Sequence, residues 1–448
     1  MKSALLRLFA ALALAWPALA AAQTIWDLDK CMAGGFMGLD LAIDYCERAI
    51  KSGKLSQRDT GTAHFYRARW YQQQGRLQPA LADLDEVTRL DILAGTPDDQ
   101  QAPNYSMRGS LHLRMGNLQA ALADFDEAIR LNPSMASPYR GRGQVWLARR
   151  DADKALADFS QALKAAVGDK TLTTVGAGST YARRPRNFDR TENDAAAHVG
   201  RGHAYLLKND AQAALTEFND ALRVHPKSAV ALAGRASLHE RRGDWDNALA
   251  DHSAAVEAAP GEAAVYLGRG RAWAAKGEFG KAALDFNATL KLQPEAWGAL
   301  MNLGSLSAGN AEYGEADEQF GKVLEANASS PYVLLWKHLA QVRAAGADSA
   351  RRATARQELA RASLRITEKS VHAQLVEFYL GRGDEAELRK AGRNLVESCQ
   401  AHYFLGQHHL IAGNQPRGAQ LLGAVVRQCP ALLQETWAAR IELGRLPQ

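Results

Sequence analysis

The sequence has little cysteine, little net charge and no long apolar run after its first residues. Its four cysteines are Cys31, Cys46, Cys399 and Cys429, and none of their spacings is the C-x-x-C of a redox motif. No later stretch approaches the ~18–20 apolar residues that a membrane-spanning helix needs. Lys and Arg number 54 against 49 Asp and Glu. These absences argue against a redox motif, a membrane span and a chain-wide basic surface for nucleic acid.

The first residues have the pattern of a secretory signal peptide. Lys2 and Arg7 precede an apolar run, and an A-x-A cleavage site ends at Ala22. We expect residues 1–22 to be removed, which lowers the formal net charge from +5 to +3. No cysteine directly follows the cleavage site, so we expect no lipid anchor. The sequence therefore predicts a periplasmic or secreted protein.

The chain repeats itself with a period of 34 residues. Pro226, Pro260 and Pro294 show this spacing. Positions eight and twenty of each unit are Ala or Gly, position eleven is mostly aromatic or His, and position fifteen is often Gly, as expected where a first helix stops. Each unit is predicted to be a helical hairpin in which the ring at position eleven fills the gap between the helices. The units are 61–94, 102–135, 136–169, 195–228, 229–262, 263–296, 297–330 and a last unit from Cys399.

This order of small, aromatic, small and proline residues resembles the tetratricopeptide repeat family. The resemblance implies an all-α fold, a right-handed α-solenoid (superhelix) of tandem helix-turn-helix hairpins with capping helices. The end of the chain, "CQAHYFLGQHHLIAGNQPRGAQLLGAVVRQCP", also resembles bacterial periplasmic adaptors of the NlpI type.

The repeats define the expected domain organisation. Cys399 and Cys429 stand at positions one and thirty-one of their unit, so antiparallel helices would bring them together. We predict two sequence-local disulfides, Cys31–Cys46 and Cys399–Cys429. The predicted segments are the signal peptide 1–22, an N-terminal cap with a disulfide at 23–60, repeats at 61–169, a basic flexible insertion at 170–194, repeats at 195–330, divergent helical repeats at 331–398, and a C-terminal repeat with a disulfide and a capping helix at 399–448.

A Gly-Arg-Gly motif recurs in "YRGRGQVW", "HVGRGHAY" and "LGRGRAWAAKG". A dinucleotide-binding loop needs a third glycine, but Trp146, Tyr205 and Trp273 stand in its place, and the flanks are helical. An arginine-glycine segment for nucleic acid is disordered, whereas these motifs lie in amphipathic helices. The motif is therefore interpreted as a structural element of the helices and not as a binding site.

The arginine at position seven occurs with a carboxylate at position twenty-three. Two units lack both charges, with Leu303 and Gln319 in one and Leu405 and Leu421 in the other. This covariation predicts one ion pair in each of six hairpins. The predicted pairs are Arg67 with Asp83, Arg108 with Asp124, Arg142 with Asp158, Arg201 with Glu217, Arg235 with Asp251, and Arg269 with Asp285.

The resemblance also implies where a partner binds. In the repeat family, positions two, five, nine and twelve of the first helices face a groove that holds an extended peptide or a helix. The arginines among these positions hint at an anionic partner. The candidate groove residues are Phe65, Arg69, Gln72, Arg140, Gln144, His203, Glu240, Leu267 and Arg271.

The sequence offers no sign of catalysis or of a cofactor. It contains no H-E-x-x-H, G-x-S-x-G or Walker motif, and His408 and His409 lack the further ligands that a metal site needs. We therefore expect no enzyme activity, no cofactor and no metal. The leading hypothesis is a periplasmic scaffold or adaptor that binds other proteins in its groove, with recruitment of an envelope protease or cell-wall hydrolase as an extension. The alternative is a subunit of a polysaccharide export or cell-wall assembly complex that contacts glycan. Homo-oligomerisation stays open.

Overall fold

The structure, a computed structural model, describes residues 22–34, 37–168 and 186–446. These residues form helices and connecting turns, and none of them lies in a strand. The chain divides into two compact units, Met1–Pro226 and Lys227–Gln448. The predicted signal peptide, apart from Ala22, lies outside the described residues, as do residues 169–185 of the predicted insertion. The prediction of an all-α chain is confirmed.

The first unit consists of a helical cap followed by four hairpins, in which α3 pairs with α4, α5 with α6, α7 with α8 and α9 with α10. Its helices are α1 (22–32), α2 (Leu39–Lys51), α3 (Gln57–Gln73), α4 (Leu77–Ala94), α5 (Asp98–Arg114), α6 (Leu118–Leu131), α7 (Ala136–Ala148), α8 (Ala152–Gly168), α9 (Arg186–Leu207) and α10 (Ala211–Val224).

The second unit continues with hairpins and ends in a single helix, α23. Its helices are α11 (Ala229–Arg241), α12 (Trp245–Ala258), α13 (Ala263–Lys276), α14 (Phe279–Leu292), α15 (Trp297–Gly309), α16 (Tyr313–Ala326), α17 (Pro331–Ala345), α18 (Ser349–Ser363), α19 (Val371–Tyr379), α20 (Glu385–Ala391), α21 (Leu395–Ile411), α22 (Gln415–Gln428) and α23 (Gln434–Arg445).

Position fifteen of each hairpin adopts a left-handed backbone. Glycine supplies it where the sequence has Gly, for example at Gly277 with φ 94°. Arg150, Asn209 and Ala311 hold the same position in the other hairpins, with φ of 61°, 63° and 67°. The turn geometry is therefore kept even where a Cβ makes it costly by about 1–2 kcal/mol.

In five hairpins a phenylalanine at position twenty-four fills the space beside the glycine at position eight, so the expectation for position eleven was wrong. The first and last hairpins have Leu84 and Leu422 at position twenty-four. A Cβ on Gly109 would lie 2.9 Å from the ring of Phe125, and a Cβ on Gly270 would lie 2.7 Å from the ring of Phe286. These phenylalanine rings are fully buried, whereas Trp146 at position eleven is only partly buried. The glycine at position eight therefore opens a slot for a ring on the second helix of the same hairpin.

Four helices begin before the residue that the 34-residue period suggests, and one of them is α5, which begins at Asp98 although its unit was predicted to begin at residue 102. Helix α3 begins at Gln57, inside the predicted cap, because the Ser56 side chain accepts a hydrogen bond from the Asp59 backbone N–H. Helix α21 begins at Leu395, inside the predicted divergent segment, where the side chain of Asn394 caps it in the same way. Helix α9 begins at Arg186, so residues 186–194 of the predicted insertion are helical.

Both cysteine pairs are at disulfide distance. The Sγ atoms of Cys31 and Cys46 are 2.08 Å apart and join α1 to α2. Those of Cys399 and Cys429 are also 2.08 Å apart and join α21 to the end of α22. Each bond links the two helices of a terminal element, where a stack of hairpins has fewer neighbouring contacts.

Candidate functional site

The structure places each arginine at position seven against the carboxylate at position twenty-three. In five hairpins the guanidinium donates from both Nε and Nη2, a bidentate geometry, at 2.6–3.0 Å. The carboxylate side chains are 6–9% exposed and the arginine side chains 17–29%. The bidentate pairs are Arg67–Asp83, Arg108–Asp124, Arg142–Asp158, Arg235–Asp251 and Arg269–Asp285.

The sixth pair differs because a histidine shares its carboxylate. Arg201 Nη2 lies 2.8 Å from Glu217 Oε1, and its buried Nε has no hydrogen-bond partner among the described residues. His198 Nδ1 lies 2.8 Å from the other Glu217 oxygen. His64 makes the same contact with Asp83 in the first hairpin, at 2.7 Å. Sequence analysis missed these histidines, although both stand at position four of their units.

Burial and hydrogen bonding act in opposite directions on the pKa of Asp83. Burial alone raises the pKa of this carboxyl, but hydrogen bonds from Arg67 and His64 bring it below its ordinary value. The pKa of Arg67 is raised, because its bond to Asp83 outweighs the effect of burial on the guanidinium. The pair is therefore charged at neutral pH and acts as a structural tie between the two helices.

The two glycines of the Gly-Arg-Gly motif accept two different rings. A Cβ on Gly143 would lie 2.9 Å from Phe159 of its own hairpin, whereas a Cβ on Gly141 would lie 2.2 Å from Phe125 of the preceding hairpin. Gly200 likewise approaches Phe159 of the preceding hairpin, at 2.4 Å. The motif combines two ring slots with the arginine of the ion pair.

The candidate groove residues of the first unit differ in exposure. Arg69 and Gln144, both at position nine, are exposed. Phe65 is partly buried and contacts the ring of Tyr66 at 5.7 Å between centroids. The remaining candidates, Gln72, Arg140 and His203, are all partly buried.

Burial lowers the pKa of two of these partly buried residues. The Nε of Arg140 is buried and has no hydrogen-bond partner among the described residues, and burial lowers the pKa of this guanidinium, partly offset by the charge of Asp194. Burial also lowers the pKa of His203, whose ring lies edge-on to Phe218 at 5.4 Å. Among the described residues, none accepts a hydrogen bond from the Nε of Arg140.

The candidate groove residues of the second unit are largely engaged within the protein. Glu240 accepts a hydrogen bond from His252 Nε2 at 2.9 Å. Leu267 packs against the apolar cluster that contains Trp437, and only Arg271 is exposed. The sequence did not predict these contacts of Glu240 and Leu267.

Helix α23 packs against α15, the first helix of its hairpin in the second unit. It packs against α21 and α22, as a cap of the last hairpin does, and also lies along α15. Met301, Ser305 and Ala308 occupy the groove positions five, nine and twelve of α15, and their exposures are 1%, 0% and 6%. The surface that Arg69 and Gln144 offer to solvent in other hairpins is thus closed at α15.

One group of side chains has metal-ligand chemistry. Ligand atoms of His198, Glu217 and Asp220 lie within 4.8 Å of one another. Glu217 is already hydrogen-bonded by Arg201 and His198, and Arg223 contacts Asp220 at 3.1 Å. Two guanidinium groups on these carboxylates oppose the binding of a cation, so the group is better described as part of the ion-pair network. His409, considered from the sequence as a ligand, lies 2.9 Å from Glu385.

None of the described helices combines the length and the apolar character required to cross a bilayer.

Helical hairpins joined by a recurring ion pair and ring slots define the class: an all-α repeat protein. The sequence model of the Tetratricopeptide repeat family matches residues 106–169, 199–263 and 234–296. The chain therefore carries tetratricopeptide repeats in these segments. Proteins of this family generally mediate protein–protein interactions and are generally not enzymes.

Solved structures of repeat proteins resemble the chain at low sequence identity. A tetratricopeptide repeat protein from Parabacteroides merdae is 20% identical, with 61% of this chain and 94% of that chain covered and a TM-score of 0.45. The protein TTC0263 from Thermus thermophilus is 17% identical, with 46% and 99% covered and a TM-score of 0.37. Human IFIT1, in a dimer with PPP-AAAA, is 15% identical, with 91% and 94% covered and a TM-score of 0.47. No curated protein sequence matches the chain.

Proposed function

We propose that the chain is a non-enzymatic periplasmic scaffold that holds a partner polypeptide against the first helices of its first unit. The exposure of position nine carries the proposal. Arg69 on α3 and Gln144 on α7 are exposed there, whereas Ser305 at the same position of α15 is fully buried in a helix that packs against α23. Helices α3 and α7 thus leave open a surface whose equivalent on α15 packs against α23.

The charges on this surface favour an acidic partner. Helix α7 contains no Asp or Glu, and α3 contains only Asp59, in its first turn. Arg69 is exposed with its guanidinium 5.6 Å from the ring of Trp70, and Arg140 has no hydrogen bond at Nε from the described residues. A partner carboxylate could make charge-assisted hydrogen bonds with the exposed guanidinium of Arg69. We expect the partner segment to be an extended peptide or a helix with at least one Asp or Glu.

The proposed location rests on the signal-peptide pattern and on the two disulfides, which persist in oxidising compartments. In the bacterial periplasm, an adaptor of this kind would recruit an envelope protease or a cell-wall hydrolase to a substrate or to another protein. Self-association is not required for this role.

The test is site-specific photocrosslinking with periplasmic extract and mass spectrometry. A photoreactive amino acid at Gln144 should crosslink to a protein partner. The matched control is the same amino acid at Lys164, which is exposed on the second helix of the same hairpin. Arg69→Glu should reduce the Gln144 crosslink.

Three outcomes would contradict the proposal. Equal crosslinking at Gln144 and Lys164 would show that the first helices are not the contact surface. Retention on peptidoglycan or polysaccharide resin without any protein adduct would favour the glycan-contacting alternative. Turnover of envelope substrates by the purified protein would contradict a non-enzymatic role.

A further inference from the structure

The surface beneath α23 has the residue pattern of a covered groove. Position nine is exposed at Arg69, Gln144 and Arg271, whereas in three further hairpins its side chain is partly buried. In α15 the same position is Ser305, which is fully buried, and α15 packs against α23. The sequence of α15, "WGALMNLGSLSAG", has no charged residue, which is typical of a helix covered on all sides.

The apolar part of the α23 contact depends on two side chains. Trp437 is fully buried, and its ring stacks on that of Phe286 with 6.4 Å between centroids. Ile441 packs against Gly309, where an added Cβ would lie 3.1 Å from its Cδ1. A larger residue at Gly309 would therefore block α23 without altering the helix itself.

The polar part of the contact uses groups at the ends of the first helices. Arg440 donates to the carbonyl oxygen of Ala275 at 3.2 Å, and Arg445 donates to that of Gly309 at 2.7 Å. These carbonyls stand in the last turns of α13 and α15, where the helix dipole favours a cation. Any helix with suitably spaced arginines can use such backbone acceptors.

Two carboxylates of α23 contact α17. Glu442 pairs with Arg343, and Glu435 accepts a hydrogen bond from Tyr332 at 2.7 Å. Glu435 is fully buried, and its second oxygen has no hydrogen-bond partner among the described residues. Burial raises the pKa of this carboxyl. The buried oxygen without a hydrogen-bond partner makes this contact of α23 less favourable.

We propose that this surface of α13, α15 and α17 is a second docking site for an amphipathic helix with the residue pattern of α23. Helix α23 keeps the site closed until such a helix from a partner protein replaces it. The required pattern is a tryptophan, an arginine three residues later, an isoleucine four residues later and a second arginine eight residues later. The site is separate from the first-unit surface, so either can exist without the other.

The test uses the full chain and a fluorescent synthetic peptide of residues 431–446. The wild-type chain should bind it weakly, because its own α23 competes at high effective concentration. The full-length Trp437→Ala chain should bind it at least about tenfold more tightly, since the intramolecular helix has lost its buried anchor. Adding Gly309→Leu to that chain should abolish binding, and a Trp437→Ala peptide should bind neither chain. Equal affinity for the wild-type and Trp437→Ala chains would overturn the proposal.

If Trp437→Ala fails to fold, hydrogen–deuterium exchange on the wild-type chain tests whether α23 leaves the surface. The amides of α23 should exchange faster than those of α21, and excess peptide should accelerate them further. Protection of α23 equal to that of α21 and unaffected by peptide would show that the helix does not leave, and would overturn the proposal.

Discussion

The Arg269–Asp285 pair allows the energetic role of the repeated ion pairs to be measured. Arg269 donates to both oxygens of Asp285, at 2.8 and 2.7 Å, and among the described residues it hydrogen-bonds no other carboxylate. Arg108 and Arg142, in contrast, each contact a second one. The perturbations are Arg269→Leu alone and Arg269→Leu combined with Asp285→Leu.

The expected magnitude follows from burial. Asp285 is 7% exposed in its side chain and Arg269 is 24% exposed. Removing one partner of a fully buried pair costs about 3–5 kcal/mol. Because water reaches part of Arg269, we expect Arg269→Leu to cost about 2–3 kcal/mol. The double variant reproduces a combination that the chain already uses in its last hairpin, where Leu405 and Leu421 are buried. We expect it to lie within about 1 kcal/mol of wild type.

The assay is urea unfolding followed by far-UV circular dichroism, together with hydrogen–deuterium exchange of α13 and α14. The local measurement is needed because a chain of two units need not unfold in a single step. Lys322→Leu is the control, since it breaks an exposed pair with Glu318 and should cost no more than about 1 kcal/mol. A double variant as unstable as Arg269→Leu would refute the pairing argument.

Three further predictions concern stability. Replacing Cys399 and Cys429 with Ser removes a bond between residues 30 positions apart and should lower the free energy of unfolding by about 3–4 kcal/mol, measured by urea unfolding. Gly141→Ala places a Cβ 2.2 Å from a buried ring and should destabilise by about 1–3 kcal/mol, whereas Gly280→Ala meets no atom within 4 Å and should stabilise by up to about 1 kcal/mol, both measured by thermal melts. Burial lowers the pKa of His338 from 6.5 to about 4, so the unfolded chain takes up a proton at a higher pH than the folded chain does. As the pH falls from 6.5 to 4, the free energy of unfolding should therefore drop by about 3 kcal/mol. His338→Gln should remove this part of the pH dependence of the urea midpoint.

Each of these predictions has an outcome that would contradict it. An unchanged urea midpoint in the cysteine variant would mean that the bond does not restrict the unfolded chain. Gly141→Ala and Gly280→Ala shifting stability in the same direction would show that the ring slot is unimportant. A His338→Gln chain with the pH dependence of wild type would place the titrating group elsewhere.

The sequence predicted the features that recur at fixed spacing. The ion pairs were predictable because Arg and carboxylate are present or absent together, and Leu303 with Gln319 showed the absent case. The hairpins followed from the period. The ring slot was assigned to position eleven, although Phe125 and its equivalents at position twenty-four fill it. A single sequence shows that both positions are apolar or aromatic but not which one faces the glycine.

The packing of α23 was not predicted, because it depends on complementarity between segments that are far apart in the chain. Arg445 and Gly309, for example, are separated by 136 residues. The uncharged sequence of α15 was the available signal, and it indicates burial without indicating what covers the helix.

The contact between Gly200 and Phe159 has a practical consequence for protein engineering. The two residues belong to hairpins that are consecutive in space but are separated in sequence by residues 169–185. Since the ring enters the same kind of slot that it enters between hairpins joined by a short turn, the length of chain between α8 and α9 is not constrained by this contact. A fluorescent protein or an affinity tag inserted between these two helices should leave the neighbouring repeats folded, which gives experimenters an internal labelling site away from both termini.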